Sequence, residues 1–257
     1  MTEVVLESKE PAPDGVYNAE GTSPYFLVCE HAGSRIPNSL NRLGMRAEEL
    51  KRHIALDIGA LEVAKLVADK VDTVLMYQNY SRLVVDCNRR LTYEGLILEV
   101  SDHTSIPGNL HLSEKCRSSR IARIWQPFHD AVADRLKKRL DQKRPTLLVC
   151  IHSFTPVMEG RQRPWHVGFC YNRDPSMSRA FSKHLLELDP SLRIGLNEPY
   201  EVLADEDYTI PEYGEKLGLL HTLVEIRQDL IAESEGWERW AELLANVCRR
   251  FQSKLNR

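Results

Sequence analysis

The chain has 257 residues, 42% of them hydrophobic and 28% charged, with a formal net charge of −3. That composition suits a globular chain long enough to bury a full core in one α/β domain, and it excludes a disordered or fibrous protein. Acidic and basic residues are mixed throughout, with no basic stripe for nucleic acid and no acidic tail, so an anionic ligand must be met by local arginines.

Residues 1–20 read as a flexible arm, acidic and Pro-containing, and residues 21–257 as one domain. Tyr25–Cys29 is a short apolar run that predicts a buried strand. Ala47–His53 and Ile58–Lys70 predict helices, Thr73–Tyr77 a strand, and Leu83–Val85 another. Ser101–Leu112 reads as a loop around Pro107-Gly108-Asn109. Ser118–Leu140 predicts one long amphipathic helix that Pro145 closes off. Thr146–Ile151 is continuously apolar, as a central parallel strand would be. His166–Tyr171 predicts a strand. Asp174 and Pro175 then cap and open a helix reaching Leu188. Arg193–Leu196 and Leu219–Ile226 predict the last two strands, and Gly236–Lys254 the closing helix. Between those strands, residues 197–218 form a polar stretch long enough for a lid or binding loop. Strands alternating with helices predict a three-layer α/β domain, a mostly parallel mixed sheet covered on both faces.

The six cysteines, Cys29, Cys87, Cys116, Cys150, Cys170 and Cys248, form no CxxC pair. They suit free thiols in a reducing cytoplasm, the expected location. Met1–Tyr17 has neither the basic start nor the apolar centre of a signal peptide, and no run approaches the roughly 18 apolar residues of a membrane span.

In open α/β sheets ligands bind beyond the carboxyl ends of strands, and four such ends carry reactive side chains. Glu30-His31-Ala32-Gly33 follows the first strand, and neutral imidazole is a common zinc ligand. Ile151-His152-Ser153-Phe154-Thr155-Pro156 follows the most apolar one. Ser81-Arg82 and Asp86-Cys87-Asn88-Arg89-Arg90 flank Leu83–Val85, and arginine grips a carboxylate with two bonds. Val224-Glu225-Ile226-Arg227 places a carboxylate inside an apolar strand, where it must be paired, metal-linked or protonated. Glu225 and Arg227 are two apart, so both can point to one face. Zinc hydrolysis needs three protein ligands, an open position, a base and an oxyanion stabiliser. Two histidines, a strand carboxylate and several arginines supply most of that, and composition does not choose the third ligand. His129, in mid-helix, reads as a satisfied core histidine.

Taken together, these segments with Asn197-Glu198-Pro199-Tyr200 and Glu225-Ile226-Arg227-Gln228-Asp229 resemble the N-formylglutamate amidohydrolase family, in the right order from about Tyr25 to Leu230. That family resembles, distantly, the zinc carboxypeptidases and aspartoacylases. Ile151-His152-Ser153 is similar to the segment carrying their late zinc histidine, Asp86 to Arg89 to their carboxylate-holding Asn-Arg pair, and Glu225-Ile226-Arg227 to their strand with the general base. One departure stands out: carboxypeptidases place a zinc-binding Glu three residues after the first His, where this chain has Ser34. The resemblance makes Asp57, in His53-Ile-Ala-Leu-Asp57-Ile-Gly, the first choice for the acidic ligand and Glu30 the second, with helix capping as the ordinary role of Asp57.

What the resemblance implies is hydrolysis of an N-acyl acidic amino acid, N-formyl-L-glutamate first, with one zinc (or another divalent ion) held by His31, Asp57 and His152. It makes Glu225 the base and Arg82 the oxyanion stabiliser, with Asn88, Arg89, Arg227 and Tyr200 binding substrate. The partners implied are small anionic N-acyl amino acids, with neither nucleic acid nor membrane. Two alternatives stay open: another N-acyl amino acid or small peptide as substrate, and a non-catalytic binding protein on this scaffold, which Ser34 keeps alive.

Overall fold

The computed structural model describes residues 3–4 and 6–255. Seven strands form one sheet: β1 (Asp14–Tyr17), β2 (Tyr25–Cys29), β3 (Val74–Gln78), β4 (Leu147–Phe154), β5 (Val167–Cys170), β6 (Ile194–Leu196) and β7 (Leu220–Arg227). Their spatial order is β1-β3-β2-β4-β7-β5-β6. The four central strands β3, β2, β4 and β7 run parallel, while β1 and β5 pair antiparallel with their neighbours and β6 runs with β5. The sheet is therefore mixed and mostly parallel, as the alternating pattern predicts.

The helices are α1 (Ala60–Val71), α2 (Glu114–Arg120), α3 (Gln126–Asp141), α4 (Ser176–Leu188) and α5 (Ser234–Leu255). Along each central strand alternate side chains enter two separate cores. Leu27, Val149, Ile151, Val224 and Ile226 meet α1, α4 and α5 through Val63, Phe181 and Trp240. Phe26, Val28, Leu148, Cys150 and Leu223 meet Phe128, Val132 and Leu136 of α3 on the other face. Continuing the second set past the apolar residues puts Glu30, His152 and Glu225 on the α3 face, at the carboxyl ends of β2, β4 and β7.

Four elements differ from expectation. Asp14–Tyr17, expected in a loose arm, pairs with β3 in the register Asp14↔Gln78 to Tyr17↔Leu75 and covers what would be an open sheet edge; residues 1, 2 and 5 of that arm lie outside the described residues. Ala47–His53 forms only a short 3-10 turn, Glu49–Lys51, because it has few apolar side chains to bury and Arg52 turns to Glu49 and Asp102. Leu83–Val85 is a buried turn, not a strand. Its carbonyls are satisfied by side chains: Asn109 Nδ2 donates to Leu83 O at 2.9 Å and Arg120 Nη1 to Val84 O at 3.0 Å. The long helix is interrupted by a π turn, Ile121–Trp125, where Gln126 N–H reaches back to Ile121 O. Pro127 has no N–H to offer Arg123, which loosens the α-helical ladder at that point.

Candidate active site

A cavity of about 440 Å³ opens beyond the carboxyl ends of β2, β4 and β7, a size that suits a small amino-acid derivative. His31, Asp57 and His152 lie together in its floor, all buried, each with a ligating atom within 4.8 Å of the others'. Asp57 Oδ2 is 2.7 Å from His152 Nδ1 and 3.4 Å from His31 Nδ1, and the two rings meet edge to face at 4.8 Å.

Backbone geometry explains how three distant segments converge. Gly33 lets the chain leaving His31 press against β3: a Cβ there would sit 2.1 Å from Asn79 O. Asp57 N–H donates to His31 O at 2.9 Å, tying the second segment to the first. The start of α1 is set by Gly59, whose φ of +75° and approach to Ile231 O suit glycine alone. No side chain caps α1, so the Asp57 carboxylate is not spent on capping and faces the histidines instead. His152 comes from β4, where parallel pairing places it opposite Glu225 of β7.

Each histidine is backed by a second carboxylate. His31 Nε2 is 2.7 Å from Asp86 Oδ1, and Glu30 Oε2 lies 3.0 Å from His152 Nε2, close but poorly aligned for a hydrogen bond. Asp86 also takes Arg82 Nη2 at 2.7 Å and the Asn88 N–H at 2.9 Å, and Arg82 Nη1 stands 3.5 Å from Asp57 Oδ1. This network keeps its charges. Burial alone would raise the carboxyls, yet His31 and His152 hold Asp57 well below the ordinary range, and Arg82 and His31 do the same for Asp86. Burial works against a charged His152, but Glu30 and Asp57 raise it well above an ordinary histidine.

Glu225 behaves oppositely. Burial outweighs the nearby cations and pushes its carboxyl up to about 7. Oε2 of Glu225 and Nδ1 of His31 are buried without an aligned hydrogen-bond partner, and a polar atom is not buried that way without cost. Two imidazoles and one carboxylate, with ligand atoms within 4.8 Å of one another and orphaned buried polar atoms around them, are a donor set that suits a borderline cation such as zinc. The residues present fit the ion that the sequence implies. Ser34 is exposed and takes no part.

At the mouth, Asn88 Oδ1 accepts from Thr209 N–H at 3.2 Å. Arg89 Nη1 pairs with Asp207 Oδ1 at 2.7 Å. Tyr200 lines the cavity with its hydroxyl 2.7 Å from Arg163 Nη1 and the guanidinium 4.7 Å from its ring centre. Arg227 is not brought to the cavity: it forks onto Asp229 at 2.7 and 3.1 Å, near the carbonyls of Pro164 and Trp165. Sharing a face with Glu225 is not enough at a strand end, where an adjacent acid captures the long side chain. His129 is the core histidine expected of it, buried between Tyr213 Oη at 3.1 Å and Cys87 O at 2.8 Å. Asn109, in the stretch read as a loop, is a buried strut between Leu83, Leu98 and Arg120. The residues 197–218 are not one open lid, since Ile210–Glu215 is a largely buried π turn. Sequence reasoning gave no role to Asp86, Glu206, Asp207 or the cavity-lining His53; Asp86 and His53 lay in segments singled out for other residues, and nothing in those segments says which way the two side chains point.

A mixed α/β sheet with a buried His-Asp-His cluster that could hold a metal ion beside its strand ends, a perturbed carboxylate and flanking arginines is an arrangement suited to hydrolysis. The family model for N-formylglutamate amidohydrolase matches residues 23–232, and the chain belongs to that family. It is a hydrolytic enzyme of the amidohydrolase kind. The structure is similar to gene product Atu2144 from Agrobacterium tumefaciens at 35% identity and TM-score 0.94, covering 98% of this chain and 99% of that one. It shares its fold with the N-formylglutamate amidohydrolase from Ralstonia eutropha JMP134 at 17% identity and TM-score 0.72, covering 96% and 99%. No curated protein matches the sequence. No helix among the described residues is long and apolar enough to cross a membrane.

Proposed function

We propose that the chain hydrolyses the amide bond of a small N-acyl acidic amino acid, N-formyl-L-glutamate to formate and glutamate in the first instance, with one zinc ion held by His31, Asp57 and His152. The observation that carries this reading is Glu225: a buried carboxyl raised to about 7, paired in register with His152 and facing the same cavity as the ligand cluster. A general base is most effective when its pKa lies near the operating pH. Zinc, when bound, supplies Lewis acidity toward the acyl oxygen and the attacking water.

The chain's own groups do the rest. Glu225 removes a proton from water as its oxygen adds to the formyl carbon. The same carboxyl then delivers that proton to the nitrogen, the C–N bond breaks, and a free amine and formate leave. Arg82, fixed by Asp86 and Asp57, presents its remaining N–H groups to the oxyanion. Asn88 and Arg89 meet the carboxylate, with Tyr200 at the mouth.

The test is formate or acyl release from N-formyl-L-glutamate, N-formyl-L-methionine and N-acetyl-L-aspartate by zinc-loaded protein. Turnover of the first supports the reading in full. Turnover of only the others keeps the hydrolase and replaces the substrate. No turnover of any of them contradicts it.

A further inference from the structure

We propose that Arg163, held against Tyr200 at the cavity mouth, receives the side-chain carboxylate of an acidic N-acyl amino acid, which makes this pair specificity-determining for acidic side chains. The inference rests on the amidohydrolase reading, in which Asn88 and Arg89 meet the other carboxylate and the bound ion serves the acyl group. A doubly charged substrate needs a further cation, and the arginines differ in how far they are already committed. Arg82 faces Asp86 at 2.7 Å and Asp57 at 3.5 Å. Arg89 faces Asp207 at 2.7 Å and Glu206 at 3.6 Å. Arg227 is turned to Asp229.

Arg163 differs from all three. Its guanidinium meets a neutral group: Nη1 donates to Tyr200 Oη at 2.7 Å, and the guanidinium carbon lies 4.7 Å from the ring centre. Among the described residues no carboxylate forms an ion pair with it, and Glu201, next to Tyr200, is exposed. The backbone holds this placement. A short hairpin pairs Val157 with Gln162 and Met158 with Arg161, and Arg163 N–H closes its base by donating to Pro156 O at 2.9 Å. Met158 of that hairpin lines the cavity, as does Tyr200. The Tyr200 carbonyl accepts from Cys170 Sγ at 2.9 Å, so the end of β5 fixes the tyrosine from its other side.

The charge of Arg163 also reaches inward. Burial foremost, against the pull of Asp102, holds the cavity-lining His53 below an ordinary histidine, and Arg163 adds to this with Arg52 and Arg82. Burial and Glu225 raise the Tyr200 phenol against Arg163 and Arg82. The hydroxyl therefore keeps its proton at neutral pH, accepting from Arg163 while that proton is free to donate. A carboxylate arriving here takes N–H groups from a planar guanidinium and an O–H from the phenol. A carboxamide in the same place loses the charge attraction, so the pair favours glutamate-like over glutamine-like side chains.

The experiment compares zinc-loaded wild type, Arg163→Gln, Arg163→Lys and Tyr200→Phe. Calorimetry gives the affinities for L-glutamate and L-glutamine, and kcat/KM is measured for their N-formyl derivatives. Wild type is expected to bind glutamate the more tightly. Arg163→Gln should lower the glutamate-to-glutamine affinity ratio roughly fivefold, the upper end for a partly exposed pair, by weakening glutamate alone. Tyr200→Phe should lower it roughly threefold, and Arg163→Lys, which keeps the charge without the fork, should fall between wild type and Arg163→Gln. Tyr200→Phe keeps the ring and reads the same subsite if Arg163→Gln disturbs the hairpin. An unchanged ratio, an equal loss for both amino acids, or a wild type that binds neither overturns the proposal. A shifted ratio with neither formyl derivative hydrolysed leaves the subsite standing and removes the substrate reading. Hydrolysis of N-formyl-L-glutamate with an unchanged ratio keeps that reading and removes Arg163 from it.

Discussion

The floor of the cavity and its mouth are held in place by different means. His152 and Glu225 stand on paired central strands, and His31 follows a third strand whose exit is pinned by a glycine contact. The mouth, with Arg89, Asp207, Tyr200 and Arg163, is carried by irregular segments and fixed by side-chain pairs. In the proposed mechanism, chemistry that tolerates little displacement sits on the rigid part, and substrate contacts sit where side chains can exchange partners. The floor should therefore respond to substitution with losses of orders of magnitude, and the mouth with changes of a few-fold.

The largest expected effect is at Glu225. Glu225→Gln should lower kcat by about 10²–10⁴-fold, the usual contribution of a positioned base, while bound zinc stays near wild type. Parallel loss of zinc would move Glu225 into the ligand set and break the division of roles drawn here.

Next come the carboxylates behind the histidines. Asp86→Asn and Glu30→Gln should weaken zinc binding about 10–100-fold, the range seen when outer partners of ligating histidines are removed. Competition with a chromogenic chelator measures this without turnover. Unchanged affinity would show that the strand ends alone orient His31 and His152.

The pH response of the metal-free protein is smaller and has a defined sign. The Glu225 carboxyl is raised from 4.5 to about 7 in the folded state, so the folded protein holds that proton more tightly than the unfolded chain. Its contribution to stability is full below pH 4.5 and is lost as pH rises through about 7, at up to roughly 1.4 kcal/mol per pH unit. Glu225→Gln should remove this slope, which denaturant titrations between pH 4.5 and 7.5 would resolve. A slope unchanged by the substitution would place the perturbed group elsewhere.

The smallest effects belong outside the floor. Arg227→Ala removes a half-exposed pair with Asp229, so KM for the best substrate should change less than about threefold, and stability by no more than about 1 kcal/mol. A KM rise of about a hundredfold would return Arg227 to the substrate.

The same contrast explains what the sequence made legible. Strands β2, β4 and β7 announce themselves as continuous apolar runs because parallel strands are buried on both faces, and the reactive residues at their ends could be read directly. Leu83–Val85 looks equally apolar, yet its carbonyls are met by Arg120 and Asn109, residues far along the chain that no local pattern ties to it. Asp57 was reachable only through family resemblance, since nothing in its neighbours distinguishes a ligand from a helix cap. Asp86, Asp207 and Glu206 acquire meaning only when three-dimensional pairing shows which cation each one meets.

The central claim is that the His31–Asp57–His152 cluster holds the ion on which hydrolysis depends. Metal-stripped protein titrated with zinc, with bound metal and formate release from N-formyl-L-glutamate followed in the same sample, tests it most directly. Turnover should rise in proportion to zinc and level off near one ion per chain, and His152→Ala should abolish both binding and turnover. Full turnover in chelator, or equal zinc binding by His152→Ala, would contradict the account.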